Sequence, residues 1–188
     1  MRRIVVLSDK QVKRIYYRHM VEDFPDSERK PLFMIEKGLR NGTYTCLGFR
    51  EGNALLGYAF FLRTGKHYLF DYLAVVPEKR NAGIGAEFLR ALASYYTKVG
   101  SVLGEVEDPE YAKSQEERKV QERRYAFYLR NGYIDTGIRV YLFGVHYRII
   151  QMKKGRKFSK EELIKIYKKH YMSFLPFYLY LPNVRVIK

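Results

Sequence analysis

The sequence predicts an α/β or α+β fold with a largely antiparallel sheet and one parallel crossover. Three observations support this prediction. Apolar residues make up 47% of the 188 residues, enough for one domain to bury a core. Segments with helical spacing of apolar residues alternate with segments rich in β-branched and aromatic residues. Near the middle of the chain, a strand-like segment leads through a glycine-containing turn into a helix.

The first half of the chain is predicted to form two helices and then three strands. Ser8 and Gln11 fit a capping box at the start of the first helix, and Asn41-Gly42 ends the second. Residues 51–53 fit a hairpin turn between the first two strands. Apolar residues at helical spacing are Val12, Ile15, Tyr16 and Met20, then Leu32, Ile35 and Leu39; the strands are predicted at 43–49, 54–62 and 68–76.

The second half is predicted to alternate helices and strands before a final helix. Asn131-Gly132 ends a helix, and Ser159 with Glu162 fits a cap at the start of a basic helix that runs to about His170. The predicted helices are 86–97 and 116–130, and the predicted strands are 101–107, 138–143 and 145–152.

Charge divides the chain into two parts. The net charge is +15, from 35 Lys and Arg against 20 Asp and Glu. Residues 151–188 hold ten of the basic residues and only two of the acidic ones. We therefore predict a main domain over 1–152 and a basic, aromatic C-terminal extension over 153–188 that packs on the domain or on a partner. A large positive charge predicts an anionic ligand but does not identify it.

Several classes of protein and site are excluded or disfavoured. Cys46 is the single cysteine, so one chain cannot form a disulfide or a cysteine-based zinc site. The four histidines lack metal-ligand spacing, and no metal site is expected. The longest uncharged run, Tyr171–Val184, contains prolines and is too short to span a bilayer. No export signal is recognised, so a cytoplasmic location is expected.

The segment with the clearest chemical signal runs from Tyr72 to Leu89. A helix begins after a turn that contains Gly83 and Gly85, and Arg80 precedes it with a fixed positive charge. Unpaired N–H groups at a helix start and glycines that admit close approach suit a pyrophosphate. A P-loop is absent, and Phe88 stands where a dinucleotide fingerprint needs a third glycine. A plain glycine turn without a ligand remains the alternative on these residues alone.

Three motifs resemble those of the GNAT superfamily of N-acetyltransferases and follow the family's order along the chain. Arg80-x-x-Gly83-x-Gly85 is similar to the family's acetyl-CoA signature, and residues 73–78 resemble the strand that precedes it. Residues 127–133, Phe-Tyr-x3-Gly-Tyr, resemble the end of a later helix in the family, and residues 103–107 resemble the fifth strand.

The resemblance implies a GNAT-like sheet with splayed fourth and fifth strands and helices on both faces. It also implies acetyl-CoA as cosubstrate and an acetyl transfer to a primary amine, without a metal. The pantetheine arm would bind along the fourth strand, and the pyrophosphate would bind the turn and the helix start. The implied cofactor-binding residues are Leu73, Ala74, Val75, Arg80, Asn81, Ala82, Gly83, Ile84, Gly85 and Ala86.

The catalytic groups implied by the resemblance are a carboxylate and a phenol. Glu105 is the favoured base, because some family members carry their base at this place on the fifth strand. Glu107 and Asp71 are alternatives for the base and candidates for substrate binding, and a water chain without a dedicated residue is a further alternative. Tyr128 would protonate or position the coenzyme sulfur. Gln121 stands where many members have Asn, which puts coenzyme contacts from this loop in doubt.

Two other functional classes are kept as alternatives. One is a non-catalytic acyl-CoA-binding or regulatory module, and the other is a nucleic-acid-associated protein that uses the basic extension. Nucleic acid is the less favoured partner, and a homodimer formed through the extension is another expectation. A small cationic amine is the favoured acceptor, because Asp71, Glu105 and Glu107 would attract it; a protein amine is the alternative acceptor.

Overall fold

A computed structural model describes residues 1–26, 28–153 and 156–187. Ser27 lies outside the described residues, as do three residues of the predicted extension, Lys154, Gly155 and Lys188.

The described residues form seven α-helices and eight strands, with a π-helical segment, Tyr16–Met20, between the first two helices. The strands are β1 (Arg2–Val6), β2 (Tyr44–Glu51), β3 (Ala54–Thr64), β4 (His67–Val75), β5 (Ser101–Glu107), β6 (Tyr133–Leu142), β7 (Val145–Met152) and β8 (Val184–Ile187). The helices are α1 (Asp9–Ile15), α2 (Val21–Asp23), α3 (Leu32–Arg40), α4 (Ile84–Tyr95), α5 (Gln115–Arg130), α6 (Lys160–Phe174) and α7 (Phe177–Asn183).

The chain forms two compact units. The first contains Met1–Arg63 and Phe70–Tyr95, and the second contains Thr64–Leu69 and Tyr96–Lys188. Strand β4 contributes to both units, since its first three residues count with the second unit. The predicted boundary at residue 152 stays a prediction.

The first unit contains strands in the order β1-β2-β3-β4. Strands β1 and β3 both pair antiparallel with β2. Helix α4 buries one face through Ile84, Phe88, Leu89 and Leu92. The ring of Phe88 stacks on that of Phe49 with centroids 5.0 Å apart, which fixes α4 against the strands of this unit.

The second unit contains strands in the order β5-β7-β6-β8, and these neighbours pair antiparallel. Helix α6 starts with the predicted capping box of Ser159 and Glu162. It buries Leu163, Tyr167, His170 and Tyr171 at helical spacing. Strand β8 pairs with β6 from Arg139–Ile187 to Leu142–Val184. The helices and the last strand after residue 159 are therefore packed parts of the second unit.

The predicted fold class, a mixed α/β fold with a mostly antiparallel sheet, is confirmed. The splaying of the fourth and fifth strands stays a prediction. The sequence-based interpretation missed β1, β8 and α7. Strand β1 has five residues and begins with two arginines, so its apolar run is short. Helix α7 contains Pro182, a helix breaker that hides its pattern.

His170 on α6 is a fully buried imidazole in the second unit. Its Nδ1 lies 2.9 Å from the hydroxyl of Thr64. Its Nε2 has no hydrogen-bond partner among the described residues. Burial, with a smaller contribution from His67, lowers the pKa of His170 to about 3. The fold therefore holds this side chain neutral.

His170 should make the protein lose stability as the pH falls. The unfolded chain protonates this histidine below about pH 6.5, whereas the folded chain resists protonation until about pH 3. The stability that neutral His170 provides is therefore present above pH 6.5 and is lost as the pH falls toward 3. Between pH 7 and pH 4, wild type should lose roughly 3 kcal/mol more than His170→Asn does, measured by urea unfolding. Parallel losses in the two proteins would show that burial of His170 carries no such cost.

Candidate active site

The predicted anion-binding turn lies in the first unit between β4 and α4. Pro77–Lys79 forms one turn of 3-10 helix after β4. Asn81 and Gly83 then adopt left-handed backbone conformations, with φ of 62° and 75°. Two such residues curl the chain just before Ile84, where α4 begins with N–H groups that lack intrahelical acceptors. A carbon added at Gly83 would meet nothing within 4 Å, so the turn is open at this point.

The strand residues predicted to hold pantetheine lie at the end of β4. Leu73, Ala74 and Val75 are each half-buried. Gly57 on β3 lies so close that a Cβ there would be 2.7 Å from the carbonyl oxygen of Ala74. The absence of a side chain at Gly57 therefore permits close packing behind this end of β4.

Arg80 is held by the fold of the first unit. Its Nε donates to the carbonyl of Val75 at 3.0 Å, and its Nη2 pairs with Asp23. The other carboxylate oxygen of Asp23 accepts a hydrogen bond from the hydroxyl of Tyr58 at 2.6 Å. A guanidinium has five N–H donors, so donors remain for an anionic ligand. Asp23 fixes the direction in which Arg80 extends.

Asp71 also lies in the first unit and is almost fully buried. Its carboxylate pairs with the ammonium of Lys30 and accepts a hydrogen bond from the hydroxyl of Tyr44. Burial, together with the charge of Asp71, raises the pKa of Tyr44 well above its ordinary value. Two donors from distant parts of the chain therefore already satisfy a carboxylate that the sequence offers as a base or a substrate ligand.

Glu105 lies on β5 in the second unit and accepts hydrogen bonds from two tyrosines of α6. The hydroxyl of Tyr167 is 2.6 Å from Oε1. The hydroxyl of Tyr171 is 2.9 Å from Oε1 and 3.0 Å from Oε2. Tyr167 and Tyr171 are 0% and 1% exposed. Neutral phenols thus hold this carboxylate, in contrast to the lysine at Asp71.

Glu107 and Tyr128 form a second group in the same unit. Arg124 on α5 pairs with Glu107 on β5. Tyr128, one turn further along α5, is buried. Burial raises the pKa of Tyr128 to about 12, an effect that Glu107 increases and Arg124 reduces. The phenol therefore stays protonated throughout the neutral pH range.

Sequence reasoning missed the partners that hold these groups, namely Asp23, Lys30, Tyr167 and Tyr171. The spacing of the two tyrosines, four residues apart, does indicate that they share one helix face. It does not indicate which group that face meets. Gln121, whose position raised doubt about the loop, is buried on α5 and donates to Glu117 at 3.1 Å.

Within residues 1–26, 28–153 and 156–187, no group of three or more His, Cys, Asp or Glu side chains is placed to hold a metal ion. No helix in the described part of the chain has the length and apolar character needed to cross a bilayer.

A family model described as the acetyltransferase (GNAT) family matches residues 10–133, well over half of the chain. The chain belongs to this family. No curated protein matches it significantly.

Solved structures of acetyltransferases share the fold at low sequence identity. A proposed GNAT acetyltransferase from Bacteroides thetaiotaomicron has 19% identity and a TM-score of 0.71, and the match covers 92% of this chain and 98% of that one. The ribosomal-protein-S18-alanine N-acetyltransferase from Escherichia coli has 17% identity, a TM-score of 0.58 and coverage of 84% and 97%. A Bacillus subtilis acetyltransferase in complex with CoA has 12% identity, a TM-score of 0.56 and coverage of 81% and 98%.

Family membership confirms the predicted enzyme class and cosubstrate. This GNAT protein is an N-acetyltransferase that uses acetyl-CoA. The roles of the individual residues, including Arg80, Glu105 and Tyr128, stay predictions, as does the identity of the acceptor.

Asp71→Asn should separate a structural role of Asp71 from a role in substrate binding. Lys30 and Asp71 are 20% and 5% exposed, and losing one partner of such a pair costs about 3–5 kcal/mol. The control is Asp26→Asn. Asp26 pairs with Arg29, but its side chain is 92% exposed, so the pair should contribute less than about 1 kcal/mol to the free energy of unfolding. Urea unfolding measures both variants. An Asp71→Asn protein that is fully stable, with only its KM for the amine raised, would contradict the structural role.

Proposed function

We propose that this acetyltransferase transfers the acetyl group of acetyl-CoA directly to a primary amine, with small cationic amines as the favoured acceptors. The observation that carries the proposal is the carboxylate of Glu105 on β5, which two phenols hold in a defined orientation. A fixed carboxylate attracts an ammonium group and accepts its proton, directly or through a water molecule.

Acetyl-CoA is proposed to bind through backbone groups of the first unit. The N–H groups from Arg80 to Ala86 would hold the pyrophosphate, because the start of α4 offers unpaired donors and the positive end of its dipole. The backbone of Leu73 and Val75 would bind the pantetheine amides. The CoA complex of the Bacillus subtilis relative supports this assignment at the level of the fold.

The proposed reaction has two bond changes. The neutral amine nitrogen attacks the thioester carbon, forming a C–N bond, and the tetrahedral intermediate then breaks its C–S bond and releases the CoA thiolate. Before attack, Glu105 is proposed to take one proton from the ammonium form of the acceptor and to pass it to solvent. After attack, the nitrogen loses a second proton and the sulfur gains one, so the products are an amide and a thiol.

Tyr128 is proposed to stabilise the departing sulfur as a hydrogen-bond donor. Its pKa of about 12 lies roughly 3.5 units above the value near 8.5 that is typical of a thiol. Complete transfer of its proton to a thiolate would cost roughly 5 kcal/mol, whereas a hydrogen bond to the sulfur carries no such cost. Positioning and charge stabilisation are therefore favoured over full proton donation.

Glu105 is preferred to the other carboxylates as the base. Asp71 is paired with Lys30, and Glu107 is paired with Arg124. A neighbouring cation stabilises the ionised carboxylate and makes it a weaker proton acceptor. The ion pairs also reduce the attraction of Asp71 and Glu107 for a cationic acceptor.

A peptide α-amine is the second candidate acceptor. The fold is similar to that of the Escherichia coli ribosomal-protein-S18-alanine N-acetyltransferase, whose acceptor is a protein alanine. An α-amine also has a pKa near 7.8, against about 10.4 for an alkyl amine, so its deprotonation costs roughly 3.5 kcal/mol less.

An amine panel tests the proposed acceptor class. Thiol release from acetyl-CoA would be measured with spermidine, kanamycin, a peptide that begins with Ala, and the same peptide acetylated at its N-terminus. The cationic small amines should give a kcat/KM at least about tenfold above that of the free peptide. A reversed order would replace small amines with peptides as the acceptor class. Failure of every amine would contradict the proposed reaction.

Tyr128→Phe should lower kcat by well over about tenfold and leave the KM for acetyl-CoA nearly unchanged. The substitution removes one hydroxyl and keeps the buried ring, so the effect falls on the chemical step. The matched control is Tyr178→Phe, because the ring of Tyr178 is 74% exposed on α7. Steady-state kinetics with the best amine measures both variants. Unchanged turnover in Tyr128→Phe would contradict the proposed role.

A further inference from the structure

The contact between Glu105 and α6 links the C-terminal part of the chain to the proposed base. Both phenols donate to one carboxylate, and three oxygen–oxygen distances lie between 2.6 and 3.0 Å. The tyrosines are 62 and 66 residues away from Glu105 in sequence. The contact therefore depends on how α6 packs in the second unit.

Helix α6 is firmly anchored within that unit. Leu163 is buried beside the tyrosines on the same helix face, and the capping box closes the start of the helix. Near the other end, Thr64 lies 2.9 Å from Nδ1 of His170 and 3.3 Å from the hydroxyl of Ser173. The phenols of Tyr167 and Tyr171 thus have little freedom to leave the carboxylate.

The phenol of Tyr167 stays protonated across the neutral pH range and donates its hydrogen to Glu105. Burial and the neighbouring charge of Glu105 raise the pKa of Tyr167 well above its ordinary value. A protonated phenol donates its hydrogen, and an ionised carboxylate is the acceptor that matches it. The arrangement fixes the plane of the carboxylate.

We propose that Tyr167 and Tyr171 are positioning residues for the acetyl transfer and that they act through Glu105. This inference rests on the proposed function, in which Glu105 is the base. Helix α6 is then a working part of the catalytic machinery, in addition to its structural role. A carboxylate that is aimed before the amine binds needs no reorganisation when it accepts the proton.

The first test removes each hydroxyl and keeps each ring. Tyr167→Phe and Tyr171→Phe should each lower kcat about tenfold while the KM for acetyl-CoA changes less than about twofold. Tyr180→Phe is the matched control, because Tyr180 is also a buried tyrosine of the second unit but lies on α7. It should leave kcat unchanged. Thermal unfolding of all variants shows whether a loss of activity only follows a loss of folded protein.

The second test is a double-mutant cycle, which distinguishes a positioning role from a purely structural one. In a Glu105→Gln background, adding either Tyr→Phe substitution should change kcat less than about twofold, because the group on which the phenols act is gone. Losses that multiply across the two sites would overturn the positioning role. Slow acetyl-CoA hydrolysis, followed by thiol release, provides the same comparison without an amine.

The outcomes distinguish a failure of the positioning role from a failure of the proposed function, in which Glu105 is the base. Full activity of Glu105→Gln would overturn the role of Glu105 as base, and the positioning role with it. A large loss in Glu105→Gln, with full activity in both Tyr→Phe variants, would overturn the positioning role alone. Failure of all amines in the panel would instead contradict the proposed acetyl transfer to amines.

Discussion

Carboxylates that are partly or fully removed from water require donors, and this requirement shapes both units of the protein. Asp23 and Asp71 in the first unit and Glu105 in the second each receive hydrogen bonds from residues distant in sequence. A buried carboxylate without hydrogen-bond donors would lower the stability of the fold by several kcal/mol, so these contacts must form as the chain folds. The partners differ in charge. Lys30 neutralises Asp71, whereas phenols orient Glu105 without adding a cation of their own.

The same requirement explains why the chain after residue 159 belongs to the second unit. Helix α6 supplies Tyr167 and Tyr171 to β5, and β8 adds a strand beside β6. All eight described basic residues beyond position 151 are exposed, as at Lys168, Lys169 and Arg185. The charge asymmetry of the sequence therefore marks helix α6 as amphipathic, with lysines facing solvent and with Tyr167 and Tyr171 facing β5.

The sequence was informative where a function depends on local backbone and uninformative where it depends on distant partners. Arg80 and Gly83 indicate a turn because neighbouring residues determine the geometry of a helix start. Strand β5 and helix α5 were predicted within one residue for the same reason. The contacts of Asp23 with Arg80 and of Glu105 with two tyrosines span tens of residues, and no local pattern specifies them. Strand β8 was not predicted, because it forms through its pairing with β6 and not through its own composition.

Two buried tyrosines of the second unit, Tyr128 and Tyr167, differ in the charges that surround them. Tyr128 is buried beside an Arg124–Glu107 pair whose opposite charges partly cancel, and burial dominates its raised pKa. Tyr167 is buried against a carboxylate, so burial and charge both hold its proton in place. Tyr167 donates its hydrogen to Glu105 at 2.6 Å, so the same carboxylate that raises its pKa also accepts its hydrogen bond. The two phenols therefore reach raised pKa values by different routes: burial beside two opposite charges at Tyr128, and burial against a single negative charge at Tyr167.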